Sequence, residues 1–304
     1  MNRRNFTKMA IASALANSAQ LTKVVAEEKA VGTQLAPYKS LFGPSPNMLA
    51  SGLKNYKDQM QFAYDHGFRA WEDNFLAKKS RKLWEVVGEF CRDKKMTMGV
   101  SVITVGKGFD FSTMDEKQTK LIEADIKLGI ELSKVTGQTH MTYVPGNRNA
   151  LSREEQIVNV AEVVKQHCDM VEEHGIILCN EPVSHPMMKG EPLLKTFAHG
   201  QLLCKAVNRR SCKLLADFYH EGEMGMGDKL IENAEAVWDE VAYVQYGDSP
   251  GRKEPGTGSL DYVTVTKWLR EKGYTGVIGM EHKVKTKGKK GLAPLLKAYR
   301  DIDA

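Results

Sequence analysis

The chain has 304 residues, 42% of them hydrophobic and 27% charged, which is enough for one large domain and excludes a collagen-like fibre or a wholly disordered chain. No uncharged apolar run reaches the roughly 18 to 20 residues a membrane-spanning helix needs, so no stable membrane insertion is expected. Lys and Arg outnumber Asp and Glu by 43 to 38, giving +5, but Arg3, Arg4, Lys8 and Lys23 lie in the first 26 residues and the rest carries only +1, so no nucleic-acid partner is expected.

In chain order, the first segment reads as an address. Arg3-Arg4-Asn5-Phe6-Thr7-Lys8 precedes an uncharged stretch over 9–22 rich in Ala, Ser and Leu, and resembles a bacterial twin-arginine export signal. Asn2 stands where that signal usually carries Ser or Thr, and Thr7 where it usually carries Leu. Ala14-Leu15-Ala16 and Val24-Val25-Ala26 offer small-residue cleavage sites. The expected organisation is an export signal over 1–26, a lead-in over 27–38 and one domain over 39–304, placed in a periplasm or cell envelope. A frayed amphipathic helix in place of the signal would leave the protein cytoplasmic. The five cysteines form an odd set without a C-x-x-C pair, which argues for structural free thiols over a zinc ribbon or a disulfide framework.

Beyond Tyr38, short apolar runs alternate with longer stretches of helical periodicity. Strands are predicted over 39–42, 68–71, 97–103, 139–144, 176–179, 213–216, 241–246 and 276–280. Helices are predicted over 55–66, 79–95, 115–134, 153–174, 193–207, 228–239 and 262–272. This rhythm over about 250 residues predicts an α/β fold, a (β/α)8 TIM barrel in a single domain, with a doubly wound open sheet as the alternative. No G-x-G-x-x-G follows the first strand, which weakens the nucleotide-binding form of that alternative.

In a barrel, chemistry belongs at the carboxyl ends of the strands. The fifth strand runs into Glu181, the sixth into Asp217, the seventh delivers Gln245 and the eighth ends in Glu281. Two Glu, one Asp and one Gln amide form a hard, oxygen-rich set suited to Mg2+ or Mn2+ rather than zinc. Taken singly, Asp217 could instead cap a helix and Gln245 could be an interior amide. The glycine- and proline-rich loop 247–258 carries Arg252, whose donor fork suits a carboxylate or a row of hydroxyls. Glu72 after the second strand, His185 after Glu181 and Lys283 beside Glu281 are further candidate substrate contacts. His167 and His174 are expected to face solvent, because their helix is rich in charge. Of His140 and Tyr143, strand alternation turns one into the barrel and the other out. The lysines at 283, 285, 287, 289 and 290 read as a solvated tail.

The order Glu181, Asp217 with His220, Gln245 with the following Gly247-Asp248-x-Pro250-Gly251-Arg252-x-Glu254-Pro255-Gly256-Thr257-Gly258, and Gly279-x-Glu281 resembles the hydroxypyruvate isomerase family. That family belongs to the xylose-isomerase-like barrels, with ketose 3-epimerases and inosose-processing enzymes, and the resemblance runs from Leu41 to the C-terminus. It implies that Glu181, Asp217, Gln245 and Glu281 hold a divalent metal, that Glu181 and Glu281 are also the acid/base pair, and that His220 and Arg252 contact substrate. The implied reaction is an aldose-ketose type isomerisation of a small sugar or keto acid through an enediolate. The chain departs from the family over 182–190, at Gly258-Ser259 and at Glu281-His282-Lys283, positions expected to line the pocket mouth and to alter the substrate. Alternatives are an exported ketose or keto-glycoside epimerase or lyase, since proton removal beside a carbonyl also begins β-elimination, and an inactive carbohydrate-binding relative. A repair endonuclease of the same barrel class would need a His-rich three-zinc cluster that eight scattered His do not supply. Nothing in the composition excludes a homo-oligomer.

Overall fold

The computed structural model describes residues 34–49, 52–186 and 190–304. The export-signal reading and most of the lead-in lie outside the described residues. The end of the lead-in is tied down: the Leu35 N–H donates to the Asp65 carbonyl at 2.8 Å and the Tyr38 N–H to the Gly67 carbonyl at 3.2 Å. Gly67 sits at φ +94°, and a Cβ there would lie 2.5 Å from the Ala36 carbonyl oxygen, so this docking needs glycine.

The strands are β1 Leu41–Gly43, β2 Ala70–Trp71, β3 Thr97–Met98, β4 Val102–Thr104, β5 His140–Tyr143, β6 Ile177–Asn180, β7 Cys212–Asp217, β8 Val241–Tyr246 and β9 Val277–Met280. Seven of them form one sheet in the order β1-β9-β8-β7-β6-β5-β4, all pairs parallel, while β2 and β3 pair with each other. The Glu72 N–H donates to the Pro44 carbonyl and the Val102 N–H to the Asn74 carbonyl, both at 3.1 Å, which seats the β2–β3 pair between β1 and β4 and closes the (β/α)8 barrel. The third predicted strand, 97–103, is thus two pieces. The interruption begins at Gly99, where a Cβ would run into the Tyr243 hydroxyl reaching across the barrel.

The six longer helices between strands start on side-chain caps: Asn55, Ser80, Asp115, Ser152, Thr196 and Asp261 accept from backbone N–H groups of the first turn. Asp115 with Gln118 and Ser152 with Glu155 form reciprocal capping boxes. The helix predicted over 228–239 shortens to Leu230–Ala236 between two 3-10 turns. The chain then ends in a helix the sequence pattern did not reveal, Lys289–Ile302, so Lys289 and Lys290 are its first turn rather than tail. It buries Leu295, Leu296, Tyr299 and Ile302, and the Tyr299 ring meets Phe42 of β1 edge-on at 4.9 Å.

Two apolar layers result. The larger lies between strands and helices; the smaller fills the barrel and consists of Ala70, Val100, Cys179, Leu215, Tyr243 and Val277. Each fully buried Leu or Val contributes about 1.5–3 kcal/mol relative to exposure. All five cysteines are buried and free. One expectation fails: His167 is buried, not solvent-facing, because Tyr143 turns outward from β5 and its hydroxyl lies 2.6 Å from His167 Nδ1. His174 is exposed beside Glu173, as expected. No helix among the described residues is long and apolar enough to cross a membrane.

Candidate active site

Strand alternation assembles the site. Side chains two residues apart face the same side of a strand, so the inward Cys179, Leu215, Tyr243 and Val277 are followed, one step toward the carboxyl end, by Glu181, Asp217, Gln245 and Gly279. Glu281 is one step further on. In register, Asp217 pairs with Gln245 and Gln245 with Gly279. The polar ring therefore lies directly above the apolar barrel core, at the carboxyl ends of β6 to β9.

Asp217 is fully buried and serves two partners. Its Oδ1 accepts from the Tyr219 N–H at 2.9 Å, capping the short helix Phe218–Glu221, and its Oδ2 accepts from Arg252 Nη2 at 2.8 Å. Asp217 therefore caps a helix and also stands in the polar ring. Arg252 Nη2 also lies 3.1 Å from Glu281 Oε2, and its Nε donates to the Glu281 carbonyl at 3.0 Å. Its guanidinium stacks 4.7 Å from the Tyr219 ring centroid. The arginine is held in the left-handed region at φ +49°, with its carbonyl accepting from the Lys283 N–H at 2.9 Å.

His220 is positioned by Ser184, whose backbone N–H donates to Nδ1 at 3.2 Å and whose Oγ lies 2.8 Å from the same nitrogen. A backbone N–H can only donate, so Nδ1 accepts and the proton resides on Nε2. That Nε2–H points into the site, 3.6 Å from both Glu181 Oε1 and Asp217 Oδ2. Burial, reinforced by Arg252, holds the imidazole pKa well below its ordinary value, so the ring is a neutral donor.

Burial and the neighbouring Glu281 and Asp217 raise the Glu181 carboxyl well above the carboxylate range. Burial likewise pushes Asp217 up to about 7 even though Arg252 opposes it. Burial works against the charge of Arg252, but Glu281, Asp217 and Glu181 outweigh it and keep the guanidinium protonated. Carboxyl groups thus outnumber the single guanidinium here, and ligand atoms of Glu181, Asp217 and His220 lie within 4.8 Å of one another.

Two further oxygens are available. Gln245 Oε1 and Glu281 Oε2 are buried and lack a hydrogen-bond partner; the 3.1 Å approach of Arg252 to Glu281 is an ion pair without hydrogen-bond geometry. Orphaned buried oxygens are rare and call for a partner. Oxygen donors of the kind Glu181, Asp217, Gln245 and Glu281 carry suit a hard divalent cation such as Mg2+ or Mn2+, although the Glu281 carboxylate, paired with Arg252, lies outside the 4.8 Å group of Glu181, Asp217 and His220. The Nε2–H tautomer leaves His220 presenting a donor, not a lone pair, to the site.

The remaining candidates are spread out. Glu72 lies inside the barrel beneath Gln245, with Oε2 accepting from the Tyr243 hydroxyl at 2.6 Å and Oε1 from Gln245 Nε2 at 3.1 Å. His185 is exposed at the rim, its ring 5.1 Å from that of His220. The Lys283 side chain is exposed, and the residue reaches the site through its backbone bond to Arg252. His282 does not line the mouth as expected: its Nε2 lies 2.7 Å from the Tyr299 hydroxyl, so the ring faces the C-terminal helix. Residues 187–189 of the departing segment lie outside the described residues. Ser184 and Tyr243 were missed by sequence reasoning; for Tyr243 the signal was present, two positions before Gln245 on the same strand face. A basic cavity of about 330 Å³ near the start of β7 is separate from this site, and its Arg209 and Lys213 are paired with Asp169 and Glu240.

Comparison with known proteins agrees with the architecture. The hydroxypyruvate isomerase of Escherichia coli K12 is 27% identical over 169 residues, 55% of this chain and 64% of the relative, so the chain spans less than two thirds of that enzyme's length. Among solved structures, a family 2 AP endonuclease from Brucella melitensis superposes with a TM-score of 0.70 at 20% identity, covering 84% of this chain and 97% of the other. A 3-keto-D-glucoside 4-epimerase from Escherichia coli gives 0.70 at 17%, covering 86% and 99%. At those identities the two structures speak for the fold alone. The family model described as a xylose isomerase-like TIM barrel matches residues 60–302, and the chain belongs to that family.

Proposed function

We propose that the protein is a divalent-metal-dependent isomerase that moves a carbonyl between adjacent carbons of a small keto acid or sugar, as hydroxypyruvate isomerase does. The observation that carries this reading is the placing of Glu181, Asp217, Gln245 and Glu281 at consecutive strand ends, with the buried Gln245 Oε1 left without a hydrogen-bond partner. The sequence similarity to hydroxypyruvate isomerase supports the substrate class. Mg2+ or Mn2+ held by those four side chains would supply positive charge that polarises the substrate carbonyl.

The chain's own residues do the rest. Arg252 offers its fork, and His220 its Nε2–H, to the carboxylate and oxygens of the substrate, fixing its orientation. One of the two glutamates takes the proton from the hydroxyl-bearing carbon; the released electron pair forms the carbon–carbon double bond of an enediolate, and charge gathers on the former carbonyl oxygen. A glutamate then returns a proton to the former carbonyl carbon while the hydroxyl proton passes between the two oxygens, leaving the carbonyl next door. The raised pKa of Glu181 suits a group that must hold a proton part of the time. We further propose that residues 1–26 export the folded protein, on the strength of Arg3-Arg4-Asn5-Phe6 and the uncharged stretch that follows.

The test is to incubate chelator-treated and Mn2+-reconstituted protein with hydroxypyruvate and follow its aldehyde isomer. Product only in the reconstituted sample is the expected result. No product from hydroxypyruvate or from a panel of ketoses, with Mn2+ bound, would overturn the reading.

A further inference from the structure

The barrel interior holds a buried acid that the reaction above does not use. Glu72 is 1% exposed, yet it sits in a space the strands clear for it. Gly279 of β9 faces its carboxyl, and a Cβ there would overlap both carboxyl oxygens. Gly99 makes room in the same way for the Tyr243 hydroxyl, and a Cβ on Gly43 would lie 3.5 Å from the Glu72 Cβ. Burying a carboxyl in a barrel core is costly unless its oxygens are hydrogen-bonded, and both oxygens of Glu72 are.

Those bonds run in one direction. The Val100 backbone N–H can only donate, and it donates to the Tyr243 hydroxyl at 3.2 Å. The hydroxyl in turn donates to Glu72 Oε2, at 2.6 Å. The other carboxyl oxygen accepts from Gln245 Nε2 at 3.1 Å. With its NH2 group held inward, Gln245 must present Oε1 to the site, and that oxygen is one of the buried atoms without a hydrogen-bond partner. An amide is nearly symmetric in shape, so without Glu72 nothing in this contact set distinguishes an oxygen facing the cation site from an NH2 group facing it.

We propose that Glu72 is a positioning residue for the cation site: through Gln245, and anchored by Tyr243 and the Val100 N–H, it turns the amide so that an oxygen rather than NH2 completes the ligand set. The inference rests on the metal-dependent reading above. Outer partners of this kind characteristically change metal affinity by 10- to 100-fold, roughly, when altered.

Glu72→Gln tests it. The replacement is isosteric, but its Oε accepts from Tyr243 and its NH2 then meets Gln245, whose amide has to reverse and offer NH2 to the cation. Mn2+ affinity, read by electron paramagnetic resonance of free Mn2+, is expected to fall about tenfold or more, with far-UV circular dichroism unchanged. On a Gln245→Ala background, itself weakened, Glu72→Gln is expected to change nothing further, because its effect passes through that amide. Parent affinity in Glu72→Gln, parent affinity in Gln245→Ala, or full additivity of the two would each overturn the proposal. Should Glu72→Gln fail to fold, Tyr243→Phe replaces it: freeing the second carboxyl oxygen is expected to weaken Mn2+ binding several-fold, and unchanged affinity would overturn the proposal. Failure of the parent protein to bind Mn2+ would instead overturn the metal reading on which it rests.

Discussion

At the scale of single residues, the site works by giving each polar group one assignment. Asp217 splits its oxygens between a helix cap and Arg252; Ser184 fixes the His220 tautomer; Arg252 is clamped by Glu281 and stacked on Tyr219. Glu181→Gln and Glu281→Gln should each lower solvent proton exchange by about 10²–10⁴-fold while leaving thermal unfolding close to the parent, since neither side chain fills the core. Exchange at the parent rate in either variant would remove that residue from the acid/base pair. Arg252→Lys loses the planar fork and should raise KM for a carboxylate substrate by about tenfold, with a smaller change for a neutral ketose. Equal effects on the two would show that Arg252 does not read a carboxylate. The four ring residues were legible because each lies at or just beyond the carboxyl end of an apolar run. Ser184 was not, and Glu72 was picked out only as a substrate contact rather than as a partner of Gln245, because a tautomer or an amide orientation depends on partners 36 and 173 positions away in the chain.

At the scale of elements, the errors have local causes. The third strand reads as one run in sequence, but Gly99 gives way to Tyr243 and splits it. The last helix was hidden by its Lys-rich start and by Gly291 and Pro294, both poor helix residues, and exists because Leu295, Leu296, Tyr299 and Ile302 find the barrel wall. Tyr299→Ala should therefore cost about 3–5 kcal/mol, the range for large aromatic truncations, measured by denaturant unfolding. A loss below about 1 kcal/mol would show that this helix is not part of the core. His167 was misread because its helix carries many charges while this position faces Tyr143. Burial depresses its pKa to about 4, so the fold binds fewer protons there than the unfolded chain. Stability from this residue is present above its ordinary value of about 6.5 and lost as pH falls toward 4, amounting to about 3 kcal/mol at most. His167→Gln should flatten the unfolding free energy between pH 6.5 and 4, and an unchanged slope would contradict the assignment.

At the scale of the whole molecule, the barrel concentrates acids where its strands end and leaves the rest of the chain to pack around them. The metal-free protein should register that concentration. Asp217, with its pKa pushed up from the ordinary 3.8 to about 7, favours the protonated fold; its contribution is complete below about pH 4 and disappears as pH rises to about 7. Added Mn2+ competes with those protons, so the rise in Tm on adding Mn2+ should be larger at pH 8 than at pH 5.5. An equal rise at both values would place the cation elsewhere. The most direct test of the central claim is proton NMR in D2O of the Mg2+-loaded protein with hydroxypyruvate and a set of ketoses. Deuterium entering beside the carbonyl of at least one compound, and not with Glu181→Gln or Glu281→Gln, is the expected result; metal-loaded protein that exchanges no proton on any of them would contradict it.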